Sequence, residues 1–374
     1  MTKTAISGTG FFVPSDVISN RELVDSFNEF ARRFNHERAD EIAAGQVQPI
    51  LKSSDEFIVK ASGIRRRHVV ARDGMLDPDI MCPHMPERPN DAISLMAEIS
   101  VKAAREALTA AGRSPKDIDA VIVAASVVQR FYPQIAIEVQ NVLAIAGFGF
   151  DLLAACSSAT FGIDVGAALI AAGHARGVLV INPEICTSHL NLRDRETHFI
   201  FGDAATACVL EPVQQAHGDN SWQIISTRLE SQFSNNIRNN FGPLNRFTPE
   251  TESYDDKLIV QKGRKVFKEV VPMVSNFMLD HLAANSIAPS SVRRLWLHQA
   301  NINMNNLIAR RVLGHDPSPD EAPSILEEYG NTSSAGSLIA FHLSSRDLEP
   351  ESIGHLCSFG AGYTAGSIIL QKCG

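Results

Sequence analysis

Short apolar runs recur along the chain, each bounded by Gly, Pro or polar residues: DAVIVAA (119–125), GVLVIN (177–182) and RRLWLH (293–298). They do not alternate with polar residues, which is the pattern of strands buried on both faces. Between them lie segments of helical periodicity. The strand–helix pattern also repeats. ALTAAGRSPKDIDAVIVAAS (107–126) aligns without a gap on HLAANSIAPSSVRRLWLHQA (281–300). Each copy reads as an amphipathic helix end, a Pro-marked loop and a buried strand. CSSATFGIDVGAAL (156–169) matches NTSSAGSLIAFHL (331–343), and FGDAATACVL (201–210) matches FGAGYTAGSIIL (359–370). Three matches in one order predict an internal duplication and an α/β fold of two related halves. We divide them as 1–212 and 213–374. Two stretches of the first half, near 26–52 and 74–90, have no partner in the second. The latter, GMLDPDIMCPHMPERP, reads as a surface loop.

Composition narrows the function classes. The chain has 374 residues, 44% of them hydrophobic, which suits a large core of about two domains. A net charge of −8 argues against nucleic acid or an anionic membrane as partner. The N-terminal MTKTAISGTGFFVPSD lacks the apolar core of a secretory signal, and no run is long enough to predict a membrane span. The 6 cysteines, at 82, 156, 186, 208, 357 and 373, form no CxxC pair, so neither a zinc site nor a disulfide framework is expected. The expectation is a cytoplasmic protein with no metal and no bound cofactor.

One cysteine has a distinctive setting. In DLLAACSSATFG (151–162), Cys156 lies between an apolar strand and an apolar helix, with small residues around it. A helix start offers free N–H groups and a partial positive charge, so Cys156 is expected to have a lowered pKa and to act as a nucleophile. The same N–H groups can bind an acyl oxyanion. The other five cysteines read as small core or terminal residues. The repeat pairs Cys156 with Asn331 at a second helix start, so both are expected near the pseudo-symmetry axis. Among the 12 histidines, His298 alone ends a buried strand, a usual site position in α/β folds. His174, His189, His198, His281 and His342 lie in helix-like or loop contexts. Cys156, His298 and Asn331 together form a nucleophile with two polar partners.

The blocks DLLAACSSATFG, FIFGDAATA, LHQAN, YGNTSSAGS and SFGAGYTAGS, with SSDEFIVKASGIRRRHV and GRKVFKEVV, resemble the motifs of the β-ketoacyl-acyl-carrier-protein synthase III family in the thiolase superfamily. They span nearly the whole chain in family order. The resemblance implies a duplicated, five-layered αβαβα thiolase fold, normally a homodimer. It implies that Cys156 takes a primer acyl group from coenzyme A, which enters as a thioester substrate. His298 and Asn331 then stabilise the enolate formed as malonyl-acyl-carrier protein loses carbon dioxide. The oxyanion N–H groups map to Cys156 and Ala361. Phe57 and Arg195 map to the coenzyme A site, where Ala61 replaces a family arginine. Asn303 replaces a basic residue of some relatives.

Ala159 stands where short-chain relatives carry a bulky aromatic. It implies room for a medium-chain primer, about six to ten carbons on a volume argument. The resemblance also implies that Phe131 and Tyr132 wall the pocket from a partner subunit. Arg264, Lys265 and Lys268, with i, i+1, i+4 spacing, and the pair Arg310–Arg311 are candidate docking points for an acidic carrier protein. The alternatives are a condensing or acyl-transferring enzyme of secondary metabolism, a thioester hydrolase, and a non-catalytic partner subunit.

Overall fold

The computed structural model describes residues 2–240 and 257–374. In the first half, β1 (Thr4–Phe12) leads to the ribbon strands β2 (Asp16–Ser19) and β3 (Arg66–Val69), with helices α1 (Asn20–Glu37), α2 (Ala39–Ala43) and α3 (Asp55–Ser62) between them. Then follow α4 (Leu95–Ala110), β4 (Ala120–Ala125), α5 (Ile135–Leu143), β5 (Phe148–Leu153), α6 (Ser158–Ala171), β6 (Val178–Glu184) and β7 (Ala204–Pro212). The second half contains β8 (Trp222–Ser231), a small ribbon of β9 (Ile237–Arg238) and β10 (Val260–Gln261), α7 (Gly263–Ala284), β11 (Val292–Leu297), α8 (Ile302–Leu313), α9 (Leu326–Tyr329), α10 (Ala335–Leu343), β12 (Ile353–Gly360) and β13 (Thr364–Lys372).

The duplication is visible in the sheet. The strand order is β11-β12-β13-β8-β1-β7-β6-β4-β5. In the first half β4 runs parallel to β6, β6 antiparallel to β7, and β7 antiparallel to β1. In the second, β11 runs parallel to β12, β12 antiparallel to β13, and β13 antiparallel to β8. The halves join where β1 meets β8, through Ala5–Gln223 and Ile6–Trp222. The Pro-marked loops become matching 3₁₀ turns at Pro115–Asp117 and Pro289–Ser291. β5 adds a parallel edge strand beside β4.

Both faces of each half-sheet are covered, as the unbroken apolar runs require. On β4, Ala120, Ile122 and Ala124 enter the central core, while Val121, Val123 and Ala125 enter the outer core beneath α4 and α5. On β11 and β12, Leu295, Leu297, Cys357 and Phe359 pack outward beneath α7 and α8. Helices α6 and α10 lie in the middle layer and touch strands of both halves. Trp222, Trp296 and Phe341 meet edge to face there, with Trp296 and Phe341 centroids 4.8 Å apart. The result is five layers.

The first unpaired stretch lengthens α1 and adds α2. The second forms no helix or strand, yet Met75 and Met81 are buried beside Leu23, Phe27 and Ile58, which pins the loop to the body. Among the described residues, no helix is long and apolar enough to cross a membrane.

Candidate active site

Cys156 lies in a 3₁₀ turn, Ala155–Ser157, between β5 and α6. Ala155 adopts a left-handed backbone conformation (φ 49°) that turns the chain sharply into the helix. The turn packs against the end of β12, where a side chain at Gly360 would place its Cβ 2.7 Å from the Cys156 Cβ. Only glycine allows that approach. The Ser333 hydroxyl donates to the Cys156 sulfur over 3.3 Å. The backbone N–H groups of Ala361 and of Cys156 itself also reach the sulfur.

These donors do not acidify the thiol. Burial pushes Cys156 up to about 11, and the nearby Glu184 carboxylate adds to the rise; the hydroxyl and the two N–H groups only offset part of it. This corrects the expectation of a lowered pKa. Cys208 and Cys357, fully buried in the strands, stand higher still: burial pushes Cys208 up to about 12 and Cys357 beyond it.

His298 is the first residue beyond β11, with its N–H bonded to the Cys357 carbonyl over 2.8 Å. It is 3% exposed and its ring meets Phe359 edge on at 5.2 Å. Burial lowers its pKa to about 4, against a hydrogen bond to the Ser333 backbone, so the ring is neutral at pH 7. Asn331 forms an isolated parallel bridge with Phe201. Its Oδ1 accepts the Ser333 N–H over 2.9 Å, which turns its amide NH₂ outward as a donor. Asn331 lies four residues before α10, whereas Cys156 lies two before α6. By place ahead of the helix, Ser333 rather than Asn331 is the counterpart of Cys156.

A single cavity of about 580 Å³ is lined by Cys156, His298, Asn331, Ser333 and Ala361 together. Its walls are mostly apolar, including Phe201, Ile237, Ile259 and Phe359. Reading the sequence missed several of its parts: Ser333, Ser126, Gly360 and His189 all line it. His189 packs on Phe201 at 5.6 Å and leaves Nδ1 without a partner. Among the described residues, no group of three or more His, Cys, Asp or Glu side chains is placed to hold a metal ion.

The model for 3-oxoacyl-[acyl-carrier-protein] synthase III matches residues 150–232, and its C-terminal counterpart matches 282–372. The chain is 55% identical over 349 residues to a β-ketodecanoyl-[acyl-carrier-protein] synthase of Pseudomonas aeruginosa, covering 93% of this chain and 100% of that protein. It is 31% identical to the β-ketoacyl-[acyl-carrier-protein] synthase III of Granulibacter bethesdensis, over 99% and 100% of the two chains. The chain belongs to the β-ketoacyl-[acyl-carrier-protein] synthase III family. It is a condensing acyltransferase of fatty acid synthesis. The crystal structure of the Aquifex aeolicus synthase III superposes with a TM-score of 0.76 at 25% identity, covering 98% of this chain and 99% of that one.

The remaining residues of this synthase fall into distinct places. Phe57 lies on α3 at the cavity wall, and the Arg195 guanidinium stacks on its ring at 3.9 Å, so the two close directly on each other. Ala61 also lines the cavity. Ala159 does not. It is fully buried in the central core with Ile122, Ala335 and Ile339. The expectation that it walls the acyl pocket is therefore corrected: α6 presents this position to the core between the sheets. Phe131 and Tyr132, on the loop between β4 and α5, are 55% and 86% exposed. Arg264, Lys265 and Lys268 are exposed on the first turns of α7, and Arg264 and Lys268 reach the cavity rim. Arg310 and Arg311 are exposed at the far end of α8, outside the cavity lining; Arg310 faces Asp316 at 3.5 Å.

Proposed function

We propose that this synthase joins a medium-chain acyl primer from coenzyme A to malonyl-acyl-carrier protein, by decarboxylative condensation through an acyl-Cys156. The observation that carries the reading is the single cavity in which Cys156, His298, Asn331 and Ala361 meet. Cys156 attacks the primer thioester as its proton passes to His298, which burial keeps neutral and able to accept it. The tetrahedral oxyanion rests on the N–H groups of Cys156 and Ala361; coenzyme A leaves as the thiol with that proton. Malonyl-acyl-carrier protein then places its thioester carbonyl at His298 and Asn331. Both donate to the enolate as carbon dioxide departs, and neither carries a negative charge that would repel it. The carbanion attacks the acyl-cysteine; as the new carbon–carbon bond forms the carbon–sulfur bond breaks, and Cys156 leaves as a thiolate that takes one proton from solvent.

The primer is an eight-carbon acyl group. The Pseudomonas aeruginosa relative is a β-ketodecanoyl synthase, and ten product carbons are eight from a primer plus two from malonate. The apolar walls at Phe201, Ile237 and Ile259 suit such a tail. Exposed Phe131 and Tyr132 support a second copy closing the pocket, and the basic α7 start supports an acidic carrier at the rim. The test is kcat/KM across acetyl- to dodecanoyl-coenzyme A, with the product identified by mass. Octanoyl is expected to exceed acetyl by at least ~10-fold, the effect of only two additional buried methylenes. An acetyl preference removes the primer assignment. Turnover of acyl-enzyme in water without malonyl-acyl-carrier protein removes the condensation.

A further inference from the structure

Glu184 is fully buried at the end of β6, outside the residues that line the cavity. Its Oε1 accepts the Ser126 N–H at 3.0 Å, the Ser334 N–H at 3.2 Å and the Ser334 hydroxyl at 2.5 Å. Its Oε2 accepts the Ser126 hydroxyl and has the Cys186 thiol at 4.0 Å. One carboxyl thus binds two elements of different halves. Ser126 follows β4 of the first half. Ser334 immediately precedes α10 in the second, next to Ser333 and three residues beyond Asn331. Apolar packing alone does not fix a loop of small polar residues such as 331–334. Buried charge-assisted hydrogen bonds do.

We propose that Glu184 is a positioning residue, the tether that holds the Asn331–Ser334 segment against the Cys156 turn so that Asn331 and Ser333 face the sulfur. The inference rests on the reading that Asn331 serves the condensation step. The charge has a second consequence. The titratable groups that feel the Glu184 charge are Cys156 and Cys186, and Asp203 acts on Cys186 as well. Burial raises Glu184 to about 7 against its four serine hydrogen bonds, and its ionised form adds to the rise that burial imposes on the Cys156 thiol.

Two substitutions separate tether from charge. Gln at 184 keeps Oε1 and its three contacts and can donate to the Ser126 hydroxyl; Asp is one methylene too short to span both serines. The experiment compares Glu184→Asp, Glu184→Gln, Ser334→Ala and Asn331→Ala. It measures acylation of residue 156 by intact mass, condensation, and the pH midpoint of Cys156 alkylation. Glu184→Asp is expected to acylate at near wild-type rate and to lose condensation roughly 10²-fold, as for a catalytic group displaced by about an ångström. Glu184→Gln is expected to restore most of that loss and to move the alkylation midpoint to lower pH. If Glu184→Asp does not fold, the ratio of acylation to condensation in Ser334→Ala decides in its place. Equal loss of both steps, no selective loss, or an alkylation midpoint unmoved in Glu184→Gln overturns the proposal. Should Asn331→Ala itself condense normally, it is the role of Asn331 that fails, and the same data show it.

Discussion

Ser126 and His298 occupy the same place in the two halves, each the first residue beyond its parallel strand, β4 or β11. The next strand over ends in Glu184 in one half and in Gly360 in the other. Ahead of the middle helix stand Cys156 in one half and Ser333 in the other. Equivalent positions have thus taken unlike tasks. The first half supplies the nucleophile and the buried carboxyl beneath it. The second supplies neutral donors and, at Gly360, an absence of side chain that lets the nucleophile's turn come close. A duplicated scaffold gives each half the same three sites; reaction on a shared axis requires only one of each chemistry.

The largest test of this division is Cys156→Ala. It is expected to abolish acyl-enzyme formation, read by intact mass after incubation with acyl-coenzyme A. Acyl groups mapped to any other cysteine break the comparison, because among the described residues no other thiol lines the cavity. Next come the neutral donors. His298→Ala and Asn331→Ala should each lower condensation by roughly 10²–10³, the usual effect of losing one oxyanion donor. Asn331→Ala should still acylate at near wild-type rate. His298→Ala should acylate more slowly, since the same ring takes the thiol proton. Condensation at wild-type rate in both variants is the result that sinks the assignment.

Gly360→Ala sharpens the point about the missing side chain. Its Cβ would lie 2.7 Å from the Cys156 Cβ and 3.0 Å from the Cys156 nitrogen. Overpacking should destabilise the fold by about 1–3 kcal/mol. A displaced turn should slow acylation up to about 10²-fold. Thermal unfolding and the acylation burst check the two effects separately; an unchanged burst means the turn yields freely.

How much of this was legible before the fold was known depends on what each residue's neighbours reveal. The strands β4, β6 and β11 were legible because a strand covered on both faces must be apolar throughout. Cys156 and His298 were legible because a reactive residue at a strand end breaks that pattern. The position of Ala159 was not. Helices α6 and α10 are sandwiched between sheets and apolar nearly all round, so no face of them can be assigned from periodicity. The thiol pKa was not legible either, because a helix start advertises its dipole in the sequence while its burial depends on β12 and on residues 331–334. Nor was the pairing of Asn331 with Cys156 safe, since runs of small polar residues carry no register. Glu184 did leave a signal, an acid closing an apolar strand run, and only its two serine partners give that signal meaning.

Buried histidines extend the comparison to pH. His189, His198, His281 and His298 are held near 4 and His355 near 3, each by burial. With the folded pKa depressed, the unfolded chain takes up protons first, so stability is fully present above about 6.5 and is lost as pH falls toward 4. Glu184 and Asp203, raised to about 7 and 6, act in the opposite sense: the folded form binds their protons more tightly, and stability is gained as pH falls through those values. His342 is lowered and Asp151 raised in the same two senses, and six histidines against three carboxyls should leave a net fall in Tm between pH 6 and 4. Scanning calorimetry across that range checks it. A Tm that rises on acidification would show the carboxyls to dominate.

The smallest expected effect lies at the outer helices, where the halves differ in charge. α4 begins with Glu98 in its first turn, whereas α7 begins with Arg264, Lys265 and Lys268 and has no acid in its first turn. Of these two helix starts, the α7 start is the one that reaches the cavity rim. An acidic carrier approaching from solvent would meet these exposed, strongly screened cations, whose contribution is mainly to encounter rather than to the bound complex. Arg264→Glu with Lys268→Glu should therefore raise KM for malonyl-acyl-carrier protein severalfold, flatten its dependence on salt, and leave acylation by acyl-coenzyme A unchanged. The reversal at Arg310 and Arg311, at the far end of α8, should do less. Equal effects at both places would mean that net charge alone matters and that the carrier does not dock at the cavity rim.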